Sequence, residues 1–240
     1  MLKLIAFIRY TKTIYGHILE AQMKKYDTVI FDLDGTLLNT LEDLADAVNF
    51  VMRKNHYPQR TIDEVRCFVG NGIRRLMELA VPENVSGTEF EQVFEEFKSY
   101  YTEHCQIKTR AYDGIMPLLK HLYEKGYAMA IVSNKNHAAV CELNDIYFKD
   151  YIEVAIGQKD GIRKKPAPDT VVQALKELGK TKERAIYVGD SEVDFATAKN
   201  SGMDCVLVTW GFRNSEELKE FQPVAFVDTA EQLQMILEQA

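Results

Sequence analysis

Short apolar segments alternate with longer helical patterns from residue 26 to the end of the chain. The apolar segments are rich in β-branched residues and are bounded by glycine or polar residues, so each predicts a β-strand. The predicted strands are 27–31, 127–132, 152–156, 185–189 and 204–208, with a weaker sixth near 224–227. Strands without polar alternation, separated by helices, are typical of a parallel sheet covered on both faces. The pattern therefore predicts the α/β class.

Helical patterns fill the intervals between these strands. They are predicted around 114–125, 137–146, 169–178, 192–200 and 229–238. Three of the intervals contain a glycine near the helix end, and Gly126, Gly179 and Gly202 are predicted C-caps. We predict a Rossmann-like sheet of order 5-4-1-2-3, counted along the chain, with the first strand at its centre.

One interval is far longer than a crossover helix requires, because residues 32–126 separate the first two strands. Within it, residues 41–106 carry only helical periodicity. We therefore predict a small helical domain, 41–107, inserted into a sheet domain that comprises 23–40 and 108–240. Residues 1–22 precede the first strand and are treated as an N-terminal extension of unknown role.

The insertion carries its own helix signals. Thr40-x-x-Asp43 and Thr61-x-x-Glu64 resemble capping boxes, which begin helices. Its last helix, predicted over 88–105, is amphipathic. We expect the aromatic stripe of this helix to be core rather than a binding surface; its members are Phe90, Val93, Phe94, Phe97 and Tyr101.

Two carboxylates, Asp32 and Asp34, follow the first strand directly, in the segment Asp32-Leu33-Asp34-Gly35-Thr36. Burying them without partners would be costly, so we expect them to meet a cation or water. An Asp-Gly turn with one helix-capping aspartate would explain Gly35 but not the pair. If strand geometry persists, both side chains point to the same side.

Similar signals follow other strands. Asp190 ends the fourth strand and Asp194 lies one helical turn further on, although helix capping alone would explain one polar residue there. Ser133 and Asn134 directly end the second strand and could hold an anion, or could form an ordinary turn. Lys165 lies next to Lys164 and two prolines, which would restrain it more than a solvated lysine.

Topology brings these separate signals together. Ligands of open parallel sheets bind beyond the carboxyl ends of the strands, where strand order reverses, so Asp32, Ser133 and Asp190 should share one crevice. Several carboxylates fit Mg²⁺, which takes oxygen ligands and usually keeps a substrate phosphate. With Lys165 nearby, the expected ligand is a small phosphorylated metabolite.

Composition excludes other classes. The chain has 36 acidic and 29 basic residues, a formal charge of -7, which argues against nucleic acid as a partner. No apolar run approaches the roughly 20 residues of a membrane helix, so no membrane partner is expected. The four cysteines are scattered, which favours reduced thiols and a cytoplasmic protein. A monomer and a homodimer are both compatible with these data.

The ordered set Asp32-x-Asp34-Gly35-Thr36, Ser133, Lys165 and Asp190 with Asp194 resembles the four motifs of the haloacid dehalogenase-like hydrolase superfamily. The likeness spans roughly residues 26–240. The helical insertion is similar to the cap of the phosphoglycolate phosphatase branch, and two segments resemble that branch more narrowly, Gly70-Asn71-Gly72 and Trp210-Gly211-Phe212-Arg213.

The resemblance implies a role for each motif residue. Asp32 would be the nucleophile that becomes an aspartyl-phosphate, and Asp34 would protonate the leaving group and then activate water. Mg²⁺ would be held by Asp32, the Asp34 carbonyl and Asp190, while Asp194 orients the metal surroundings. Ser133 and Lys165 would bind the phosphoryl oxygens. Thr36 and Asn134 are further substrate-binding candidates.

Other features remain open at the level of sequence. Gly72 is expected in a turn of the cap that faces the site, with Arg74 or Arg75 as a substrate contact or as part of a solvated helix face. Asn39 replaces an acid common in relatives and lies near the hinge of the cap. The predicted activity is a phosphatase acting on a small phosphate monoester. An inorganic pyrophosphatase, a nucleotidase, a sugar-phosphate mutase and a non-catalytic phosphate-binding regulator are the alternatives.

Overall fold

A six-stranded parallel sheet forms the centre of the molecule, in a computed structural model that describes residues 25–239. Its strands are β1 (Thr28–Phe31), β4 (Ala128–Asn136), β5 (Val154–Gln158), β6 (Ala185–Gly189), β7 (Asp204–Val208) and β8 (Ala225–Val227). The short strands β2 (Leu38–Asn39) and β3 (Arg110–Ala111) pair antiparallel outside it. The sheet order β5-β4-β1-β6-β7-β8 confirms the predicted order and adds β8 at one edge. The predicted extension, 1–22, lies outside the described residues.

Ten α-helices lie among residues 25–239. Four fall between β2 and β3: α1 (Leu41–Lys54), α2 (Ile62–Phe68), α3 (Ile73–Ala80) and α4 (Gly87–His104). We call these four the cap helices. The others are α5 (Ile115–Glu124), α6 (His137–Tyr147), α7 (Asp169–Glu177), α8 (Glu192–Ser201), α9 (Ser215–Leu218) and α10 (Ala230–Leu237). In this part of the chain, no helix is long and apolar enough to cross a membrane.

Apolar layers cover both faces of the sheet, as the continuous apolar strands predict. Within β1, Val29 and Phe31 join the cluster formed with α5, α6 and α10. Ile30 points the other way, into the cluster that includes Val171 of α7 and Ala198 of α8. The central strand is therefore buried on two sides, and only its carboxyl end is left for polar chemistry.

The cap helices enclose a third apolar cluster. The predicted stripe of α4 is buried in it at every position: Phe90, Val93, Phe94, Phe97 and Tyr101. The capping box predicted at Thr61 and Glu64 is present, with both reciprocal hydrogen bonds. This agreement follows from local chemistry, because a box depends only on residues three positions apart.

The capping box predicted at Thr40 and Asp43 is wrong. The Thr40 hydroxyl makes no cap bond and donates instead to Asp34 Oδ1 at 2.7 Å. Asp43 is buried and accepts from the backbone amides of Lys108 and Thr109 at 2.9–3.0 Å, as well as from the Thr109 hydroxyl. These long-range bonds tie the start of α1 to the segment that returns the chain to the sheet.

Candidate active site

The carboxyl ends of β1, β4 and β6 meet beneath the cap helices. β1 and β6 are parallel neighbours, and the Asp32 amide donates to the Val188 carbonyl at 2.9 Å, so Asp32 lies beside the end of β6. One carboxylate oxygen of each of Asp32, Asp190 and Asp194 lies within 4.8 Å of the other two. A cavity of about 1400 Å³ is lined by Asp32 and Asp190, together with Asp34 and Lys165. The predicted convergence of strand ends is therefore present.

Lys165 lies at the centre of the acidic group. Its ammonium donates to Asp32 Oδ1 at 2.7 Å and to Asp194 Oδ1 at 2.8 Å, and it reaches the Tyr187 hydroxyl at 3.1 Å. Burial alone would lower the pKa of Lys165, but the charges of Asp194 and Asp32 outweigh it and raise the pKa. Lys165 therefore remains a cation inside the protein.

Asp194 is fully engaged by protein donors. Its Oδ1 accepts from Lys165 and from the Tyr187 hydroxyl, and its Oδ2 accepts from the Ser191 hydroxyl and from two backbone amides at 3.2 Å. These bonds and the charge of Lys165 overcome the effect of burial and lower the pKa of Asp194. The arrangement suits a residue that orients its neighbours, as predicted, better than one that contacts a ligand.

Asp32 and Asp190 each keep one oxygen without a protein donor among residues 25–239. Lys165 occupies Oδ1 of Asp32, and the Phe212 amide donates to Oδ2 of Asp190 at 2.6 Å. Burial and then the charge of Asp194 raise the pKa of Asp32 to about 7, and the same two causes raise the pKa of Asp190 well above its usual value.

The charge balance of this cluster fits a divalent cation. Three buried carboxylates face one buried ammonium, and burial together with the charge of Asp194 raises the pKa of both Asp32 and Asp190. The Asp32 carboxylate and the free oxygen of Asp190 offer hard oxygen donors of the kind that Mg²⁺ prefers. The site therefore has the donors and the excess negative charge that a magnesium ion requires.

Asp34 has different partners from Asp32. Its Oδ1 accepts from the Thr40 hydroxyl and from the buried ammonium of Lys135 at 2.9 Å. Lys135 also donates to the hydroxyl of Tyr101, which comes from α4. Burial alone would lower the pKa of Lys135, but the charge of Asp34 and the hydrogen bond to the Tyr101 hydroxyl raise it. Asp34 thus belongs to a second buried ion pair next to the first.

Ser133 and Asn134 lie in the site, but β4 does not end before them as predicted; it continues to Asn136 with a break in register after Val132. Ser133 Oγ accepts from the Lys135 amide, which leaves the hydroxyl proton available to the cavity. The Asn134 side chain bonds both the amide and the carbonyl of Lys165, and it donates to the Gly70 carbonyl. Asn134 thus holds Lys165 in place through its backbone.

Glycine is required where the two acidic strand ends approach each other. Gly35 has φ of +89°, and a Cβ there would lie 2.3 Å from Asp190 Oδ2. At Gly211, a Cβ would lie 2.3 Å from the Asp190 Cβ and 2.5 Å from the Gly35 carbonyl oxygen. Any side chain at either position would push Asp190 out of the cluster.

Of the other predicted site residues, some line the cavity and others do not. Gly72, with φ of +86°, begins α3 and lines the cavity, as does Arg75, whose guanidinium pairs with Glu78 on the surface. Arg74 pairs with Glu91 and lies over the Phe94 ring. Thr36 is fully buried and does not line the cavity, so its predicted contact with substrate has no support in the structure.

Sequence reasoning missed Lys135, Tyr101 and Arg213 as site residues. Lys135 could have been found by extending β4, because Ser133 and Lys135 are two positions apart on an extended chain. Tyr101 was assigned to the core because it belongs to the predicted apolar stripe of α4. Arg213 joins core to cap by donating to the carbonyls of Arg66 and Val69 while it pairs with Glu192.

Known proteins resemble this chain over most of its length. Residues 29–208 match the haloacid dehalogenase-like hydrolase family. The phosphoglycolate phosphatase of Nitrosococcus oceani is 27% identical over 91% of this chain and 99% of its own. Phosphoglycolate phosphatase 1 of Pseudomonas aeruginosa is 31% identical, covering 88% of this chain and 80% of its own. A crystal structure of a phosphoglycolate phosphatase-like protein from Lactobacillus delbrueckii subsp. bulgaricus has a TM-score of 0.84 and is 38% identical. The match covers 89% of this chain and 98% of the other.

The chain belongs to the haloacid dehalogenase-like hydrolase family. Within it, the chain falls in the branch that resembles phosphoglycolate phosphatases, which confirms the resemblance inferred from the motifs. The predicted enzyme class, a phosphoric monoester hydrolase, is confirmed by the same matches.

Proposed function

We propose that the chain is a Mg²⁺-dependent phosphatase that hydrolyses a small organic phosphate monoester through a phosphoaspartate at Asp32. The observation that supports this most directly is the state of the Asp32 carboxylate. Lys165 holds one of its oxygens, while the other accepts from no donor among residues 25–239, and Asp32 lies close to Asp190 in the lining of the cavity. A buried carboxylate with one oxygen free is suited to attack phosphorus.

In the first step, the free oxygen of Asp32 forms a bond to phosphorus while the bond to the leaving oxygen breaks. Asp34 gives its proton to that leaving oxygen, so an alcohol departs. The Ser133 hydroxyl and the Lys165 ammonium line the cavity and would bind the phosphoryl oxygens. In the second step, Asp34 takes a proton from water, which attacks phosphorus and releases inorganic phosphate and Asp32.

Asp32, the backbone carbonyl of Asp34 and Asp190 would hold the magnesium ion, which when bound supplies positive charge to the phosphoryl oxygens. Asp194 has no oxygen left for this purpose, so its part is to hold Lys165 and the start of α8. We therefore propose different tasks for the four aspartates, according to which of their oxygens already accept hydrogen bonds from the protein.

The cap helices are proposed to select the organic part of the substrate, with the core, 23–40 and 108–240, carrying the chemistry and 41–107 closing over it. Gly72 and Arg75 line the cavity from the cap side, and Arg75 has an exposed guanidinium that could meet a carboxylate. Because several relatives are phosphoglycolate phosphatases, 2-phosphoglycolate is the first substrate to test.

The test uses Asp32→Asn with p-nitrophenyl phosphate and 2-phosphoglycolate. We expect kcat to fall by a factor on the order of 10⁴ or more, because the nucleophile is lost. EDTA should abolish wild-type turnover and Mg²⁺ should restore it. Asp150→Asn, at an exposed position outside the cavity, is the matched control and should retain activity. Near-normal turnover by Asp32→Asn, or turnover that is insensitive to chelator, would contradict the proposal.

A further inference from the structure

Lys135 is a buried cation that no motif of the sequence assigns. Its side chain is 7% exposed and lies near the end of β4, within the irregular stretch between Val132 and Asn136. Its ammonium donates to two groups from different parts of the chain: Asp34 Oδ1 and the Tyr101 hydroxyl, both at 2.9 Å. Burying a lysine is costly unless its partners offset the loss of water, so this position needs both of them.

The bonds to Asp34 are unevenly distributed between its two oxygens. Thr40 and Lys135 both donate to Oδ1, at 2.7 and 2.9 Å. Within the described part of the chain, no hydrogen bond reaches Oδ2. Two donors on one oxygen fix the rotation of the carboxyl group, and they leave the second oxygen to carry and exchange a proton.

We propose that Lys135 is a positioning residue that holds the Asp34 carboxyl group for proton exchange and makes this orientation depend on Tyr101 of the cap. The proposal rests on the proposed function, because it concerns the group that protonates the leaving oxygen. When the leaving bond breaks, the proton moves from Asp34 Oδ2 to the leaving oxygen, and the resulting carboxylate is balanced by the Lys135 ammonium. The next proton comes from the attacking water.

The link to the cap follows from where Tyr101 lies. It is buried in the cap cluster and stacks on Phe97 at 5.6 Å, so its hydroxyl can reach Lys135 only while α4 stays over the site. Burial first, and then the charge of Asp34, raise the pKa of Tyr101 to about 12, although Lys135 opposes this, so the hydroxyl remains neutral. With Tyr101 withdrawn, Asp34 is the one side-chain hydrogen-bond partner that Lys135 keeps among residues 25–239, and the ammonium is free to reorient.

The decisive measurement compares two leaving groups. Nitrophenolate departs without a proton, whereas the alkoxide of an alkyl phosphate needs one, so only the second substrate depends on a well-placed Asp34. We use kcat/KM, which reports the steps up to departure of the leaving group. For Lys135→Met, we expect a loss on the order of 10²-fold with propyl phosphate and less than roughly tenfold with p-nitrophenyl phosphate. Lys135→Arg should recover part of the propyl phosphate activity.

Tyr101→Phe supplies a milder variant that keeps the ring and removes only the hydroxyl. It should lower the ratio of kcat/KM with propyl phosphate to kcat/KM with p-nitrophenyl phosphate by roughly threefold to tenfold, which is the effect of one hydrogen bond. Tyr100→Phe is the matched control, because Tyr100 precedes it on α4 and stacks on Phe50 instead. If circular dichroism shows that Lys135→Met does not fold, the ratio of the two kcat/KM values in Tyr101→Phe tests the proposal instead.

Equal losses on both substrates in Lys135→Met, or in Tyr101→Phe where that variant decides, would overturn the proposal and assign Lys135 a structural role only. So would losses that add fully in Lys135→Met combined with Asp34→Asn, since a residue that acts through Asp34 has little left to affect once Asp34 is changed. Failure of the proposed function gives a different result, because the wild-type enzyme would then hydrolyse neither ester.

Discussion

The end of the sheet and the interior of the cap are both buried, but they use burial in opposite ways. In the cap cluster the buried side chains are apolar, as in the stripe on α4, and charged neighbours such as Arg74 and Glu91 pair on the surface. At the sheet end, Asp32, Asp190 and Lys165 are almost completely removed from solvent. Burial of apolar groups stabilises the fold, whereas burial of like charges costs stability and creates reactivity.

This difference predicts that stability and activity can be separated by substitutions in the two regions. Changes at the sheet end should remove activity without loss of stability. Changes inside the cap should remove stability first. Proteins commonly show such a trade-off, because charges arranged for a ligand repel each other when the ligand is absent.

The largest effect is expected from Asp190→Asn. It should lower kcat by a factor on the order of 10³ or more because a proposed metal ligand is lost. In EDTA the same variant should be more resistant to urea than the wild type, by about 1 kcal/mol, because a buried like charge is removed. Activity assays and urea titrations of the two proteins measure both effects, and a variant that is both inactive and less stable would break the comparison.

The next largest effect, a loss of stability, is expected from Phe97→Ala in the cap. Phe97 is fully buried, so the free energy of unfolding should fall by about 3–5 kcal/mol through lost apolar contact and the cavity left behind. Phe226→Ala is the control at a half-exposed position and should change stability by less than about 1 kcal/mol. Denaturant titration measures both variants, and equal losses would show that the cap interior is not a stabilising core.

The sequence predicted the sheet order and the site residues Asp32, Ser133 and Asp190, because an apolar strand followed by a polar residue is a local signal. It pointed to Lys165 through a different local signal, the two neighbouring prolines. It did not predict Lys135 or the true partner of Asp43. The reason is physical: both depend on contacts between segments far apart in the chain, Lys135 with Asp34 and Asp43 with Lys108 and Thr109. Thr40 was misassigned for a different reason: its hydroxyl donates to Asp34, six positions earlier, instead of capping α1.

A smaller effect is expected in the pH dependence of stability, which reports on the buried carboxyl group of Asp32. Its pKa rises from 3.8 to about 7, so between these values the folded protein binds a proton that the unfolded chain releases. In EDTA, this contribution to stability is complete below pH 3.8 and is lost as pH rises through about 7. From pH 5 to 6.5, stability of the wild type should therefore decline more steeply than that of Asp32→Asn, by about 1 kcal/mol per pH unit. Parallel curves in urea titrations would contradict the raised pKa.

The smallest effect is expected at the cap side of the cavity. If Arg75 contacts the organic part of the substrate, Arg75→Ala should raise KM for 2-phosphoglycolate by roughly threefold to tenfold and leave kcat nearly unchanged, because an exposed charge contributes little. KM for p-nitrophenyl phosphate, which lacks a carboxylate, should not change. An equal change in KM with both substrates would show that Arg75 does not recognise the organic part of the substrate.

The central claim is that Asp32 forms the covalent bond to phosphorus. Quenching the enzyme with borohydride during turnover reduces an aspartyl-phosphate to homoserine, which mass spectrometry can locate in the chain. The account predicts homoserine at position 32, dependent on both substrate and Mg²⁺. Reduction at Asp34 or Asp190 instead, or no reduction at any aspartate during active turnover, would contradict it.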